Sequence, residues 1–160
     1  MSDFEAWLEN ARRMKHVHPE ASMPDALVSS SADAHWLDRA MTGNPSRIGV
    51  LLEVPSRTME FYVQEMPAGT AGDLQRHRHE SVHYVIDGHG HSEIGPRTVG
   101  WARGDLIYTP PWVWHRHYND GAETARMLLV ENSRLLESLG LNERESAGEL
   151  SYDEFAARPD

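Results

Sequence analysis

The apolar positions of this chain change period along its length. Near the N-terminus Phe4, Trp7, Leu8 and Ala11 recur at three- and four-residue intervals, the spacing of one helix face. Ser2 and Glu5 form a capping-box pattern in front of them, so a helix is predicted over residues 2–14. Residues 15–47 keep neither period and are punctuated by Pro19, Pro24, three serines at 29–31 and Pro45. They read as an irregular arm, whose Leu27, Trp36, Leu37 and Met41 favour burial against the domain or a second subunit. Beyond residue 47 the pattern becomes that of strands, predicted at 48–54, 58–66, 82–87, 91–94, 99–102, 106–109, 114–118 and 124–131. Within 58–66, Met59, Phe61 and Val63 share one face and read as core. Turns at Gly72, Gly88, Gly95, Gly104, Pro110 and Gly121 separate most of these strands. Leu135, Leu136 and Leu139 then return to helical spacing before Gly140, and a polar acidic tail follows, which Tyr152 and Phe155 are expected to pin locally.

Many short strands with Gly and Pro turns predict an all-β sandwich or barrel. The expected division is an N-terminal helix and arm at 1–46, a β-barrel at 47–132, and a C-terminal helix and tail at 133–160. A chain of 160 residues matches one domain and buries enough surface to fold without a staple. It has no cysteine, which excludes disulfides, thiolate ligands and a thiol nucleophile. Fifteen basic against twenty-five acidic residues give a net charge of −10, which disfavours nucleic acid as a partner. The longest apolar run, 127–130, is too short for a membrane span, and the acidic N-terminus lacks a signal-peptide pattern. The protein is therefore expected to be cytoplasmic, with no membrane partner.

Seven of the ten histidines fall between His77 and His117. His77 and His79 are two residues apart, and on a strand both rings point to one face, which makes half of a divalent-metal site. His115 follows on a later strand. Three imidazoles without a fourth thiolate leave coordination positions open, as in catalytic metal centres. His117 shares the face of His115 and reads as a neighbour that orients it. His16 and His18, with Pro19 next, read as exposed loop, and His89 and His91 as solvated turn residues. Arg76, Arg78 and Arg116 alternate with the histidines and should point out of the barrel. Trp101, Trp112 and Trp114 fit either an aromatic pocket or the core.

These residues resemble the two motifs of the cupin superfamily. Gly104, Pro110, His115 and Asn119 stand at the spacing of the second motif, with Trp112 where it has glycine. His77 and His79 match the first motif, which also carries a glutamate. Three intervening residues after His79 lead to His83, whereas six before Gly88 lead to Ser81. The resemblance implies the cupin double-stranded β-helix, a jelly-roll barrel. The Pro-x-Trp-x-Trp-His-x-His text is similar to cupins of the gentisate 1,2-dioxygenase type. Those lack the glutamate, bind Fe(II) through three histidines, and use an arginine on the substrate carboxylate, a position that falls here at His83.

The resemblance implies metal ligands at His77, His79 and His115, with His83 as fourth ligand or substrate contact, and His117 and Trp114 beside the reaction. The expected activity is that of a mononuclear Fe(II) dioxygenase using O₂ on a small aromatic or enol-bearing acid. The alternative is a Zn, Ni or Mn centre in a non-redox lyase, isomerase or cyclase, or a non-catalytic metal-binding barrel. Single-domain cupins of this kind imply a homodimer.

Overall fold

In the computed structural model, which describes residues 2–13 and 24–158, the alternation beyond residue 47 resolves into two antiparallel sheets. The first helix, α1 (Asp3–Arg13), starts as its sequence predicts. Ser2 Oγ accepts from the Glu5 amide at 3.3 Å and Glu5 Oε2 accepts from the Ser2 amide at 2.8 Å. Its apolar side chains Phe4 and Trp7 stack on each other at 6.0 Å and stay exposed. His16 and His18 lie outside the described residues.

The arm holds more structure than its irregular text predicts. Strand β1 (His35–Leu37) and the short helix α2 (Arg39–Thr42) precede β2 (Arg47–Val50), and β1 pairs with β2 as the edge of the first sheet. Three residues are too few to display a period, so this strand is invisible as a pattern. It docks because Gly49 opposite Trp36 has no side chain. A Cβ there would stand 3.2 Å from the indole.

The chain continues through β3 (Glu60–Met66), β4 (Leu74–His77), β5 (Ser81–Asp87), β6 (His89–Ile94), β7 (Arg97–Ala102), β8 (Leu106–Thr109), β9 (His115–Asn119) and β10 (Ala125–Glu131). Helix α3 (Ser133–Ser138), strand β11 (Arg144–Gly148) and helix α4 (Tyr152–Ala156) complete it. One sheet has the order β1-β2-β3-β10-β5-β8 and the other β11-β4-β9-β6-β7. Facing each other, they make the two walls of a jelly-roll barrel. Gly90 marks a close approach between strands, since a Cβ there would lie 1.9 Å from the Tyr118 carbonyl oxygen.

Parity along paired strands divides the lumen into two ends. On β10 and β5 the inward pairs run Met127 with Val85, Leu129 with His83, and Glu131 with Ser81. Met66, Val85, Trp101, Ile107, Ala125, Met127 and Leu129 make the apolar core. The same two strands turn polar at Ser81, His83 and Glu131, and there the histidines gather. On β3 the expected core face is only partly realised. Val63 is buried but Met59 is exposed, because Gln64 and Met66 of the opposite parity supply the lumen-facing side.

The C-terminal tail is pinned where expected, with Phe155 packed on Trp114 and the Tyr152 amide donating to Glu93, and it also forms β11 against β4, which its sequence RESAG does not announce. Ion pairs stitch it down, Arg76 with Glu145 at 2.6 Å and Arg78 with Glu143 at 2.8 Å. Among the described residues no helix is long and apolar enough to cross a membrane.

Candidate functional site

Five histidines converge at the polar end. His77 closes β4, His79 follows in the bend, His83 lies on β5, and His115 and His117 alternate on β9. All five are buried. Arg78 and Arg116, between the paired histidines, point outward to Glu143 and to the Glu149 carbonyl, so the predicted alternation holds. The rings of His77 and His79 stack at 3.7 Å, His77 meets His115 edge-on at 4.6 Å, and His83 meets His117 at 4.4 Å. Among the described residues, no three His, Asp or Glu side chains form a ready-made metal centre as they stand. The backbone nonetheless delivers five imidazoles to one place.

The hydrogen bonds settle which nitrogens are available. His77 Nδ1 donates to the His79 carbonyl at 2.8 Å and His115 Nδ1 to the Val113 carbonyl at 2.9 Å. In a neutral ring this leaves the lone pair on Nε2. His117 Nδ1 lies 2.7 Å from Ser92 Oγ, which also accepts the Trp101 indole N–H at 3.0 Å. His83 Nε2 lies 3.3 Å from Ser81 Oγ. Among the described residues, His117 Nε2 and His83 Nδ1 are buried without any hydrogen-bond partner. Buried ring nitrogens left unpartnered are costly, and a cation would satisfy whichever of them carries a lone pair.

Charge is distributed unevenly. Burial, reinforced by the neighbouring histidines, holds His83 down at about 3 and His115 and His117 well below the ordinary range. His77 is lowered to about 4 by burial and then by the charge of His79. His79 behaves oppositely. Burial opposes its charge, but the hydrogen bond and charge of Glu131, with the hydrogen bond that His79 donates to Asn142, outweigh burial and raise it. Its Nε2 stands 3.2 Å from Glu131 Oε2 and its Nδ1 3.2 Å from Asn142 Oδ1. Four neutral imidazoles therefore surround one that is paired with a carboxylate, a donor set that fits a divalent transition metal.

Two tryptophans stand apart from this cluster. Trp114, expected beside the reaction, faces outward. It packs against Phe155 at 4.5 Å and under the Arg76 guanidinium at 4.9 Å, because it has the opposite parity to His115. Trp112, which occupies the motif glycine, adopts φ 59°, the left-handed conformation for which glycine is the usual choice. Arg76 and Arg78 cover its ring at 4.5 and 4.3 Å, and its amide donates to the His77 carbonyl at 2.7 Å. His91 is a surface residue, stacked on Tyr118 and paired with Asp120 at 2.7 Å.

Sequence reasoning missed Glu131, Asn142 and Ser92. Glu131 was within reach, since it continues the inward parity of Met127 and Leu129; Asn142 had no signal. A cleft of about 690 Å³ opens along the seam between β7 and β8. Its walls include Trp101, bonded to Ser92, and Ile107, the strand partner of His83.

A family model described as "Cupin domain" matches residues 62–131. Over 77 residues the chain is 35% identical to a gentisate 1,2-dioxygenase from Haloferax, covering 47% of this chain and 22% of that enzyme. An uncharacterized protein of Streptomyces coelicolor is 30% identical over 98 residues, 61% of this chain and 92% of the relative. Among solved structures, a point mutant of the salicylate 1,2-dioxygenase of Pseudoaminobacter salicylatoxidans, in complex with gentisate, superposes with TM-score 0.58. It is 17% identical, over 68% of this chain and 30% of that one, which speaks for the fold alone. The chain thus spans less than a third of each of these two dioxygenases.

Proposed function

Since this chain belongs to the cupin family, we propose that it is a mononuclear metal-dependent enzyme, an Fe(II) dioxygenase acting on a small aromatic or enol-bearing acid. The observation that carries this reading is the buried histidine cluster with two orphaned ring nitrogens at one end of the barrel. His77, His79 and His115 are the proposed ligands, with His83 as a fourth ligand or a substrate contact. When bound, the metal supplies Lewis acidity and open coordination positions for an oxygen-donor substrate and O₂.

The chain's own residues do the rest. Ser92, tied by the Trp101 indole, fixes the orientation of the His117 ring beside the proposed ligands. Burial keeps that ring neutral. The exposed Phe4, Trp7, Leu27, Val28 and Met41 support a homodimer in which the N-terminal segment covers a second copy.

The test is O₂ uptake by iron-loaded protein offered a panel of small hydroxylated aromatic acids. Uptake with at least one, lost in His77→Ala and His115→Ala together with the bound metal, is the expected result. A chain that keeps full metal occupancy in both variants refutes the ligand assignment. His83 gives the second reading its support. A fourth neutral imidazole would close one more coordination position and suit an O₂-independent lyase or isomerase, for which turnover would persist under nitrogen.

A further inference from the structure

We propose that Glu131 is a carboxylate ligand of the metal centre, supplied from β10 to replace the acidic residue missing from the first motif. This rests on the metal-centre reading above and adds a residue to it. The motif's acidic position falls at Ser81 or His83, neither of which carries a carboxylate. Glu131 is the direct cross-strand partner of Ser81, and it has the inward parity of Met127 and Leu129. A carboxylate borne by β10 at this register enters the same end of the lumen as one borne by β5 at position 81.

The local geometry fits coordination. Glu131 Oε2 and His79 Nε2 are 3.2 Å apart. Two donors each roughly 2.0–2.2 Å from one ion, at tetrahedral or octahedral angles, are separated by about 3.0–3.5 Å. With Asn142 Oδ1 accepting from Nδ1 of a neutral His79 ring, the lone pair of Nε2 points at a carboxylate oxygen. Two such lone pairs at this distance need a cation between them, either a proton or a metal.

Glu131 is engaged with the cluster, whereas its neighbour is engaged elsewhere. Glu60, opposite it on β3, is taken up by the Tyr62 hydroxyl at 2.9 Å, by the Ser133 hydroxyl and by Arg134. The partner of Glu131 is His79. An anionic donor among neutral imidazoles would lower the net charge of the centre and favour Fe(II) and Mn(II), which take oxygen donors readily, over Cu.

The two cations predict opposite results for Glu131→Gln, an isosteric change. Metal-depleted protein at pH 8 is titrated with Zn(II) against a chromophoric chelator, with thermal unfolding as the check on folding. Wild type is expected to bind one ion per chain and His115→Ala to lose tight binding. Glu131→Gln should weaken Zn(II) by more than about 10-fold, and the visible spectrum of the Co(II) derivative should change in intensity. Adding Ser81→Glu to Glu131→Gln should restore affinity, because it returns a carboxylate at the opposing register position. If Glu131 is only the counter-ion of protonated His79, removing its charge frees Nε2. Affinity equal to or tighter than wild type in Glu131→Gln therefore overturns the inference and leaves the histidine site standing. Absence of Zn(II) binding by the wild type overturns both. Should Glu131→Gln not fold, Glu131→Asp, which withdraws the carboxylate by one methylene, carries the same comparison.

Discussion

Metal-free protein should lose stability in the pH range of histidine rather than that of carboxylates. His83 is buried and held at about 3, against about 6.5 when free in the unfolded chain. A base whose folded value is depressed is protonated first in the unfolded state. Its contribution is intact above pH 6.5 and is lost as pH falls toward 3. At about 1.36 kcal/mol per unit the whole shift of His83 corresponds to roughly 5 kcal/mol. The total stability of a domain is only about 5–15 kcal/mol. His77, His115 and His117 are lowered too and act in the same direction. His79 opposes them. Its raised value adds stability below the unfolded value, and that stability is lost as pH rises through the folded one. One histidine against four cannot reverse the slope. Urea unfolding of chelator-treated protein, followed by tryptophan fluorescence from pH 8 to 4.5, should show ΔG falling by several kcal/mol below pH 6.5. Acid unfolding should be complete above about pH 4, and His83→Phe should reduce the slope by up to about one proton. A flat ΔG between pH 7 and 5 would refute the neutral, desolvated cluster.

Three further outcomes follow from the geometry. Gly90→Ala should prevent folding or cost more than about 4 kcal/mol, since the Cβ would meet the Tyr118 carbonyl and the Trp101 ring; an unchanged melting temperature would contradict the strand crossing. Ser92→Ala should lower kcat by roughly 10–100-fold with KM and metal content little changed, because it releases His117 Nδ1 without touching the proposed ligands; equal loss of metal would place Ser92 in metal retention instead. Sedimentation should give a dimer at micromolar concentration, converted toward monomer by Phe4→Ser with Trp7→Ser; a wild-type monomer would remove the role assigned to the exposed apolar face of α1.

Trp112 illustrates how a legible motif can hide its own exception. Its spacing places it at the motif glycine, and the backbone there does take the left-handed conformation. What makes a bulky side chain tolerable is a pair of guanidinium groups over the ring, and those arrive from β4 and the bend that follows it. Trp114 makes the converse point. Its place beside His115 in the text suggested contact with the site, and strand parity turned it to the other side of the sheet.

The barrel and the gathering of its histidines were determined by sequence alone. A two-residue period needs only local backbone geometry, so most strands, their turns and the burial of His77, His79, His83, His115 and His117 were readable from spacing. Strand pairing is not local. Only the tertiary structure set Glu131 across from Ser81, brought Asn142 to His79 from 63 residues away, and turned RESAG into an edge strand through ion pairs with β4. Those residues carry no period or motif of their own. Their positions depend on which strands lie side by side, and that is decided by the packing of the whole barrel rather than by any one stretch of chain.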